Sequence, residues 1–127
     1  MGRIKVLIVD DDESSRDILS IVVSESMGHV ALTATNGMEA LELIKSEDPD
    51  IVITDLMMAQ MSGVELISKI KSLGGTQEII LVSAHSDIEA YLQAMDLGAY
   101  EAINKPFHPS EISRTINKII ESRGIKK

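Results

Sequence analysis

Cysteine is absent from the sequence, and aromatic residues are almost absent. Its 127 residues include no Trp, two Tyr and one Phe. Without cysteine the chain cannot form a disulfide, a thiolate metal site or a cysteine nucleophile, and its composition is compatible with a reducing compartment. Because aromatic side chains are so few, we expect a core filled by Ile, Leu, Val and Met.

Positive charge and long apolar runs are also scarce. The chain has twelve basic and twenty acidic residues, and its net charge of −8 argues against binding to nucleic-acid phosphates as the main activity. No run approaches the roughly 18 to 20 apolar residues of a membrane span, and Arg3 and Lys5 lead directly into a predicted strand rather than a signal peptide. We therefore expect a cytoplasmic protein that binds neither nucleic acid nor a membrane directly.

What the sequence does contain is a repeated strand–helix unit, in which an amphipathic helix follows each buried strand. The predicted strands are 4–9, 29–34, 51–54, 78–83 and 100–104. Helix starts are predicted from a capping residue with an acidic residue three positions later. These pairs are Ser14 with Asp17, Asn36 with Glu39, Ser62 with Glu65, and Ser86 with Glu89. Pro109 marks the start of the fifth helix.

Five such units predict an α/β fold, a doubly wound five-stranded parallel sheet with five helices on its two faces. Right-handed crossovers favour the flavodoxin-like strand order 2-1-3-4-5, whose ligand crevice lies at the carboxyl ends of strands 1 and 3. We expect 1–127 to form a single domain. Its last residues, 121–127, are polar, and we expect a frayed tail or the start of a linker there.

Polar side chains follow four of the five predicted strands. Asp10 and Asp11 follow the first, Asp55 the third, Ser83 the fourth and Lys105 the fifth. Three neighbouring carboxylates raise one another's pKa unless a cation lies among them, and hard oxygen ligands suit Mg²⁺ or Mn²⁺. An ammonium and a hydroxyl beside an aspartate can bind the oxygens of a phosphoryl group attached to it. The strand ends therefore predict a phosphoryl site.

The sequence resembles a receiver domain of a two-component response regulator, with a chemotaxis-regulator-like fold, over nearly its whole length. The segments that carry the resemblance are VLIVDDDESSR (6–16), DLMMAQMSG (55–63), LVSAH (81–85) and INKPF (103–107). The resemblance implies a regulatory phosphoacceptor rather than an enzyme. Asp55 would take a phosphoryl group from a sensor histidine kinase or a phosphotransfer protein, with only self-catalysed transfer and slow autodephosphorylation, and would then regulate an output.

The resemblance also implies a role for each residue at the strand ends. The implied Mg²⁺ ligands are Asp11, Asp55, the main-chain carbonyl of Met57 and, through water, Asp10. Ser83 and Lys105 are implied to bind the phosphoryl oxygens, and the peptide between Lys105 and Pro106 is implied to be cis. The implied partners beyond the kinase are an output domain and a second copy, bound through the fourth helix, fifth strand and fifth helix.

The sequence departs from the family's usual pattern at three positions. In the loop after the third strand, Ala59 replaces Pro and Ser62 replaces Asp, which predicts a looser loop but an intact helix start. Ala102 occupies the position of a Tyr or Phe that usually moves inward on phosphorylation. By strand alternation Tyr100 is predicted to point to the same face as Ala102 and to substitute for that aromatic in part. We expect the output to depend on the loop and helix after the fourth strand.

Two further positions are candidate modulators of the phosphoryl lifetime. Met57 and His85 lie two residues beyond the third-strand and fourth-strand site residues, where members of the family border the attacking water. Met57 cannot hydrogen-bond water usefully, whereas His85 can do so, or can cap a helix or face solvent. The other two histidines, His29 and His108, are predicted to lie on the surface.

Three other functions compete with phosphoacceptor signalling. A haloacid-dehalogenase-type phosphatase would use Asp10, in the motif Asp10-x-Asp12, as its nucleophile, and a label on Asp10 rather than Asp55 would favour it. A phosphate-independent interaction module with the receiver fold is favoured by the missing aromatic residue and opposed by the intact strand-end residues. A flavin or nucleotide binder is opposed because no Gly-rich phosphate loop follows any strand.

Overall fold

The computed structural model of the chain describes residues 3–84 and 88–123 and has the predicted alternation of strands and helices. The strands are β1 (Lys5–Val9), β2 (Val30–Ala34), β3 (Ile51–Thr54), β4 (Glu78–Ser83) and β5 (Glu101–Asn104). The helices are α1 (Glu13–Ile21), α2 (Gly37–Glu47), α3 (Gly63–Ser72), α4 (Ile88–Asp96) and α5 (Pro109–Ser122). A π-helical segment, Val22–Ser26, extends α1 and was not predicted.

The five strands form one parallel sheet in the order β2-β1-β3-β4-β5. This is the flavodoxin-like order predicted from the sequence, with β1 paired to both β2 and β3. Because all strands run in the same direction, the carboxyl ends of β1, β3, β4 and β5 lie along one edge of the sheet. The residues that follow those ends are therefore brought together from distant parts of the sequence.

Two aliphatic clusters, one on each face of the sheet, form the core. The α2–α4 cluster contains Ala40 of α2, Leu66 of α3 and Ala94 of α4. The α1–α5 cluster contains Leu19 of α1 and Ile116 of α5. Each fully buried Val, Leu or Ile contributes about 1.5–3 kcal/mol, so the core is stabilised by many aliphatic side chains rather than by a few aromatic rings. No helix in the described ranges is long and apolar enough to span a membrane.

Two helix starts follow the predicted capping chemistry. The Asn36 side chain accepts a hydrogen bond from the amide of Glu39 at 2.9 Å and caps α2. Ser62 accepts from the amide of Glu65 at 3.1 Å, and the Glu65 carboxylate accepts from the amide of Ser62 at 3.2 Å. This reciprocal pair starts α3 although Ser62 replaces the family's usual Asp. The cap predicted at Ser86 lies outside the described residues.

The predicted start of α1 was wrong by two residues. The cap is Asp12 rather than Ser14, and its Oδ2 accepts a hydrogen bond from the amide of Ser15 at 3.0 Å. The physical reason is a contact outside the helix. The amide of Asp12 donates to Oδ1 of Asp10 at 2.9 Å, which holds Asp12 in the extended conformation that an N-cap needs.

Two predicted side-chain positions were also wrong. His29 is only 8% exposed, and its burial is tolerated because Nδ1 accepts a hydrogen bond from the amide of Ile4 at 3.3 Å. Tyr100 and Ala102 do not share a face of the sheet. Tyr100 packs against the α1–α5 cluster, whereas Ala102 packs against the α2–α4 cluster. β5 begins only at Glu101, so strand alternation does not extend back to Tyr100.

Candidate functional site

Two aspartates and one lysine meet at the carboxyl edge of the sheet. The Nζ of Lys105 lies 2.9 Å from Oδ2 of Asp10 and 2.9 Å from Oδ2 of Asp55. Asp10 is 1% exposed and Asp55 8% exposed, so both carboxylates are buried beside a single ammonium. Charge-assisted hydrogen bonds of this length are among the stronger polar contacts in proteins. Three of the predicted site residues are thus in direct contact.

The sheet itself positions these side chains. The amide of Asp55 donates to the carbonyl of Val9 at 3.3 Å, which ties the end of β3 to the end of β1. The amide of Lys105 donates to the carbonyl of Ser83 at 2.8 Å, which ties the residue after β5 to the end of β4. The peptide between Lys105 and Pro106 is cis, as predicted. The Lys105 side chain reaches across from β5 to the central strands.

The charges at this edge of the sheet perturb one another. Burial raises the pKa of Asp10 above its ordinary value, although the hydrogen bonds from the Asp12 amide and from Lys105 oppose this effect. Burial by itself would lower the pKa of Lys105, but the hydrogen bonds and charges of Asp55 and Asp10 outweigh it and raise that pKa. Lys105 is therefore held in its charged form, with its positive charge between two carboxylates.

The remaining predicted residues surround this ion-paired centre. Ser83 is buried at the end of β4, next to the main chain of Lys105. The side chain of Asp11 is exposed at the start of the β1–α1 loop. Met57 has an exposed side chain, and its amide donates to Oδ1 of Asp55 at 3.0 Å. Both oxygens of Asp55 therefore accept a hydrogen bond, and His85 lies outside the described residues.

The divalent cation that the sequence predicts requires several oxygen ligands close together. Within residues 3–84 and 88–123 no three Asp, Glu or His side chains come together as a metal-binding group. The carboxylates of Asp10 and Asp55 do converge, because each lies 2.9 Å from the same nitrogen. Mg²⁺ takes one or two carboxylates and keeps several waters, so two converging carboxylates with the exposed Asp11 beside them fit such an ion.

Two features of the site were not predicted. Gly63 closes the β3–α3 loop, since its amide donates to the carbonyl of Leu56 at 2.8 Å and a methyl group in place of its hydrogen would collide with the carbonyl oxygen of Asp55. Arg16 donates from Nη1 to the main-chain carbonyl of Asp10 at 2.8 Å. Neither contact has a local sequence signal, because each depends on how the loop folds back over the sheet edge.

Comparisons with known proteins agree with this architecture. The chain matches the response regulator receiver domain over residues 6–117. It is 38% identical to the chemotaxis protein CheY of Thermotoga maritima, over 94% of this chain and 98% of that protein. It is 30% identical to sporulation initiation phosphotransferase F of Bacillus subtilis, over 91% of this chain and 93% of that protein.

The other similar proteins differ in length. The chain is 34% identical to the DNA-binding transcriptional regulator NtrC of Escherichia coli, but it spans only 25% of that protein. The structure of chemotaxis protein CheY4 from Vibrio cholerae superposes with a TM-score of 0.86 at 27% identity, over 93% of this chain and 99% of that one. The likeness thus extends both to proteins of this size and to one segment of larger regulators.

The parallel sheet, with an acidic pair and a lysine at its carboxyl edge, defines an α/β signalling domain of the phosphoacceptor class. The chain belongs to the response regulator receiver domain family. This family consists of regulatory domains of two-component signal transduction that generally bind Mg²⁺ for phosphorylation. The sequence prediction of a receiver domain is therefore confirmed.

Proposed function

We propose that Asp55 is the phosphoacceptor of this domain and that its phosphorylation regulates an output. The observation that carries the proposal is the pair of 2.9 Å contacts from Lys105 to Asp55 and Asp10. A carboxylate nucleophile and an ammonium are already in contact there, at the edge of the sheet where this fold binds ligands. The ammonium is placed to neutralise the oxygens of a phosphoryl group carried on Asp55.

The transfer itself needs little covalent chemistry from the protein. An oxygen of the Asp55 carboxylate attacks phosphorus, the bond from phosphorus to the donor histidine nitrogen breaks, and its electron pair stays on that nitrogen. The product is an acyl phosphate on Asp55. Positioning and neutralisation of oxygen charge supply most of the catalysis in such reactions. In this proposal Lys105 and the hydroxyl of Ser83 bind the phosphoryl oxygens.

We assign the divalent cation to the acidic residues beside Lys105. The proposed ligands are Asp11, Asp55, the main-chain carbonyl of Met57 and, through water, Asp10. When bound, Mg²⁺ would neutralise charge on the transferring phosphoryl group. The buried carboxylate of Asp10 also holds Lys105 and the amide of Asp12, and in this way it organises the loop that carries Asp11.

A histidine kinase or phosphotransfer protein is the proposed phosphoryl donor. An apolar cleft of about 470 Å³ lies beside the site. Its lining residues are Ser15, Ile18, Lys105, Pro106, Phe107 and Pro109. Ile18 and Ile21 are also exposed on α1, so an apolar partner surface could dock next to Asp55. We also propose that the domain binds an output partner, and that a second copy of the chain binds at the face formed by α4, β5 and α5.

The route from Asp55 to the output is proposed to run through residues 84–97. Ala102 cannot act as an aromatic switch, and Tyr100 packs on the opposite face of the sheet, so it does not take its place. Amide exchange in α4 with and without beryllofluoride, a phosphoryl mimic, tests this route. Faster or slower exchange in α4 is expected, and unchanged exchange would contradict it.

Two alternatives make different predictions at the same site. A phosphatase that uses Asp10 as nucleophile is opposed because Asp10 is the less accessible of the two carboxylates, at 1% exposure against 8% for Asp55, and it accepts hydrogen bonds from Lys105 and from the amide of Asp12. A phosphate-independent interaction module is favoured by Ala102 alone. The ion-paired centre opposes it, because two buried carboxylates beside one ammonium leave an excess negative charge whose desolvation cost a bound cation would offset.

Incubation with Mg²⁺ and acetyl phosphate, followed by intact-mass analysis, tests the proposal. We expect wild type to gain one phosphoryl group and Asp55→Asn to gain none. Peptide mapping after borohydride trapping identifies the modified residue. A label on Asp10 would support the phosphatase, and no label on folded wild type would support the phosphate-independent module.

A further inference from the structure

Arg16 contacts the edge of the site although it is not one of the residues assigned to phosphoryl chemistry. Its Nη1 donates to the main-chain carbonyl of Asp10 at 2.8 Å, in a partly buried position. Asp10 follows the last residue of β1, and its amide donates to the carbonyl of Ala34, beside β1, at 3.2 Å. The main chain of Asp10 is therefore held from one side by β2 and from the other by Arg16.

This contact also restricts the orientation of the peptide that precedes Asp11. The carbonyl that Arg16 binds belongs to the peptide between Asp10 and Asp11. The side chain of Asp11 is exposed, so the direction in which its carboxylate projects depends on how that peptide is oriented. A hydrogen bond from a half-buried guanidinium restricts the orientation more than water would, because the guanidinium is itself held on a helix.

The charge of Arg16 is not used to neutralise the site. The ion pairs of Asp10 and Asp55 are made by Lys105, and the Arg16 bond goes to a carbonyl instead. On its other side Arg16 lies near the start of α2. Hydrogen bonds from Thr35 hold the pKa of Glu39 below its ordinary value, and the charge of Arg16 lowers it further. Arg16 thus forms a hydrogen bond at the start of the β1–α1 loop, and its charge acts on the start of α2.

We propose that Arg16 is a positioning residue of the phosphoacceptor site, which orients the peptide between Asp10 and Asp11 for binding of a divalent cation. The inference rests on the proposed function of Asp55 and adds a residue to it. Mg²⁺ demands near-ideal octahedral geometry, so a small change in ligand direction weakens its binding. Residues that orient metal ligands typically contribute about 10- to 100-fold to metal affinity.

Positioning and simple electrostatics predict opposite effects of removing Arg16. If Arg16 acted only through its charge, its removal would make the electrostatic potential at the carboxylates more negative, and Mg²⁺ would bind more tightly. If Arg16 orients the peptide, its removal weakens Mg²⁺ binding. The direction of the change in affinity therefore separates the two roles.

The experiment compares Arg16→Ala and Arg16→Lys with wild type and with Arg114→Ala, which removes an exposed arginine of α5. Isothermal titration calorimetry measures binding of MgCl₂ to each purified chain without any phosphoryl donor. We expect Arg16→Ala to bind Mg²⁺ roughly 10-fold more weakly. Arg16→Lys should be intermediate, because an ammonium can donate one hydrogen bond to the same carbonyl. Arg114→Ala should match wild type.

Phosphorylation by acetyl phosphate over a range of Mg²⁺ concentrations gives a second readout. We expect Arg16→Ala to need more Mg²⁺ for half-maximal labelling and to approach the wild-type rate at saturation. Unchanged or tighter Mg²⁺ binding by folded Arg16→Ala would overturn the inference, as would a lower melting temperature with unchanged affinity.

The design separates failure of this inference from failure of the proposed function. If wild type binds Mg²⁺ and is labelled, and Arg16→Ala has the same Mg²⁺ affinity, only the role of Arg16 is contradicted. Wild type that neither binds Mg²⁺ nor is labelled contradicts the proposed function as well. If Arg16→Ala does not fold, the Mg²⁺ affinity of Arg16→Lys tests the inference instead. Wild-type affinity in Arg16→Lys would overturn it, because a positive charge without the guanidinium would then be enough for Mg²⁺ binding.

Discussion

At the residue scale, Lys105 pairs with two buried aspartates at once. Its raised pKa means that the folded state binds its proton more tightly than the unfolded state does. The stabilisation that follows is fully present below the ordinary pKa of 10.5 and is lost as the pH rises through the folded-state pKa. Asp10, whose pKa is raised by burial, costs stability as the pH rises above its ordinary value of 3.8.

These linked titrations predict the effect of Lys105→Met. Without Mg²⁺ the substitution leaves two buried carboxylates with no ammonium between them, so we expect a loss of about 1–3 kcal/mol in the free energy of unfolding at neutral pH. The loss should shrink in acid, where the carboxylates are protonated, and in strong alkali, where Lys105 itself is neutral. Urea unfolding of both proteins at acid, neutral and alkaline pH measures it.

Lys118 supplies a matched control for this substitution. Its Nζ lies 3.0 Å from Oε1 of Glu101, a distance close to that of the Lys105 pairs, but both side chains of this pair are exposed. Exposed ion pairs contribute about 0–1 kcal/mol, so Lys118→Met should change stability little. An equal loss from both substitutions would mean that burial does not set the strength of the Lys105 pairs.

The meeting of polar side chains at one sheet edge could be predicted because the fold makes strand ends neighbours. Asp10, Asp55 and Lys105 are far apart in sequence, yet parallel strands bring them to one edge. The sequence does not show which polar residue becomes buried by a contact from another element. His29 accepts from the amide of Ile4, and Arg16 donates to a carbonyl of the sheet edge. The first contact exists only once β1 and β2 have paired, and the second depends on how the β1–α1 loop folds back.

At the scale of elements, two glycines begin helices beside the site under different steric conditions. Gly63 begins α3, where a methyl group would collide with the carbonyl oxygen of Asp55 and lie 2.8 Å from Cα of Leu56. Gly37 begins α2, where a methyl group would lie 2.5 Å from the sulfur of Met61. The first obstacle is backbone, and the second is largely a flexible side chain that can move away.

We therefore expect Gly63→Ala to be the more destabilising of the two substitutions. Overpacking against backbone costs roughly 1–3 kcal/mol, whereas Gly37→Ala should stay within about 1 kcal/mol because Met61 adapts and alanine favours the helix. Gly63→Ala should also slow phosphorylation, since it displaces the main chain of Asp55. Urea unfolding and acetyl phosphate labelling measure both effects, and a reversed order of stability would contradict this steric explanation.

The predicted helix and strand boundaries agree with the structure where the local sequence determines them. They differ where tertiary contacts compete with the local sequence preference. Asn36 and Ser62 cap their helices as predicted, because each is a single good cap before an apolar stripe. The β1–α1 loop offers several acidic and hydroxyl residues in a row, and the Asp10 carboxylate selects Asp12 among them. Tyr100 was assigned to the wrong face because β5 starts one residue later than predicted.

At the scale of the whole molecule, excess negative charge acts on stability in two ways. The net charge of −8 gives a general self-repulsion that any salt reduces. The acidic edge of the sheet adds a local repulsion that a site-bound divalent cation would reduce. The general effect depends on ionic strength alone, whereas the local one depends on the identity of the cation and on the carboxylates of the site.

This difference predicts how Mg²⁺ changes thermal unfolding. A ligand that binds only the folded state stabilises it by about 2.7 kcal/mol at a concentration 100 times its Kd, which for a chain of this size raises the melting temperature by roughly 3–5 °C per kcal/mol. We expect MgCl₂ to raise the midpoint of wild type more than NaCl of equal ionic strength does. In Asp55→Asn, which keeps most of the net charge but loses a proposed ligand, the extra rise should largely disappear. Differential scanning calorimetry measures all four conditions, and equal midpoints in the two salts for wild type would show that the acidic edge responds only to general screening.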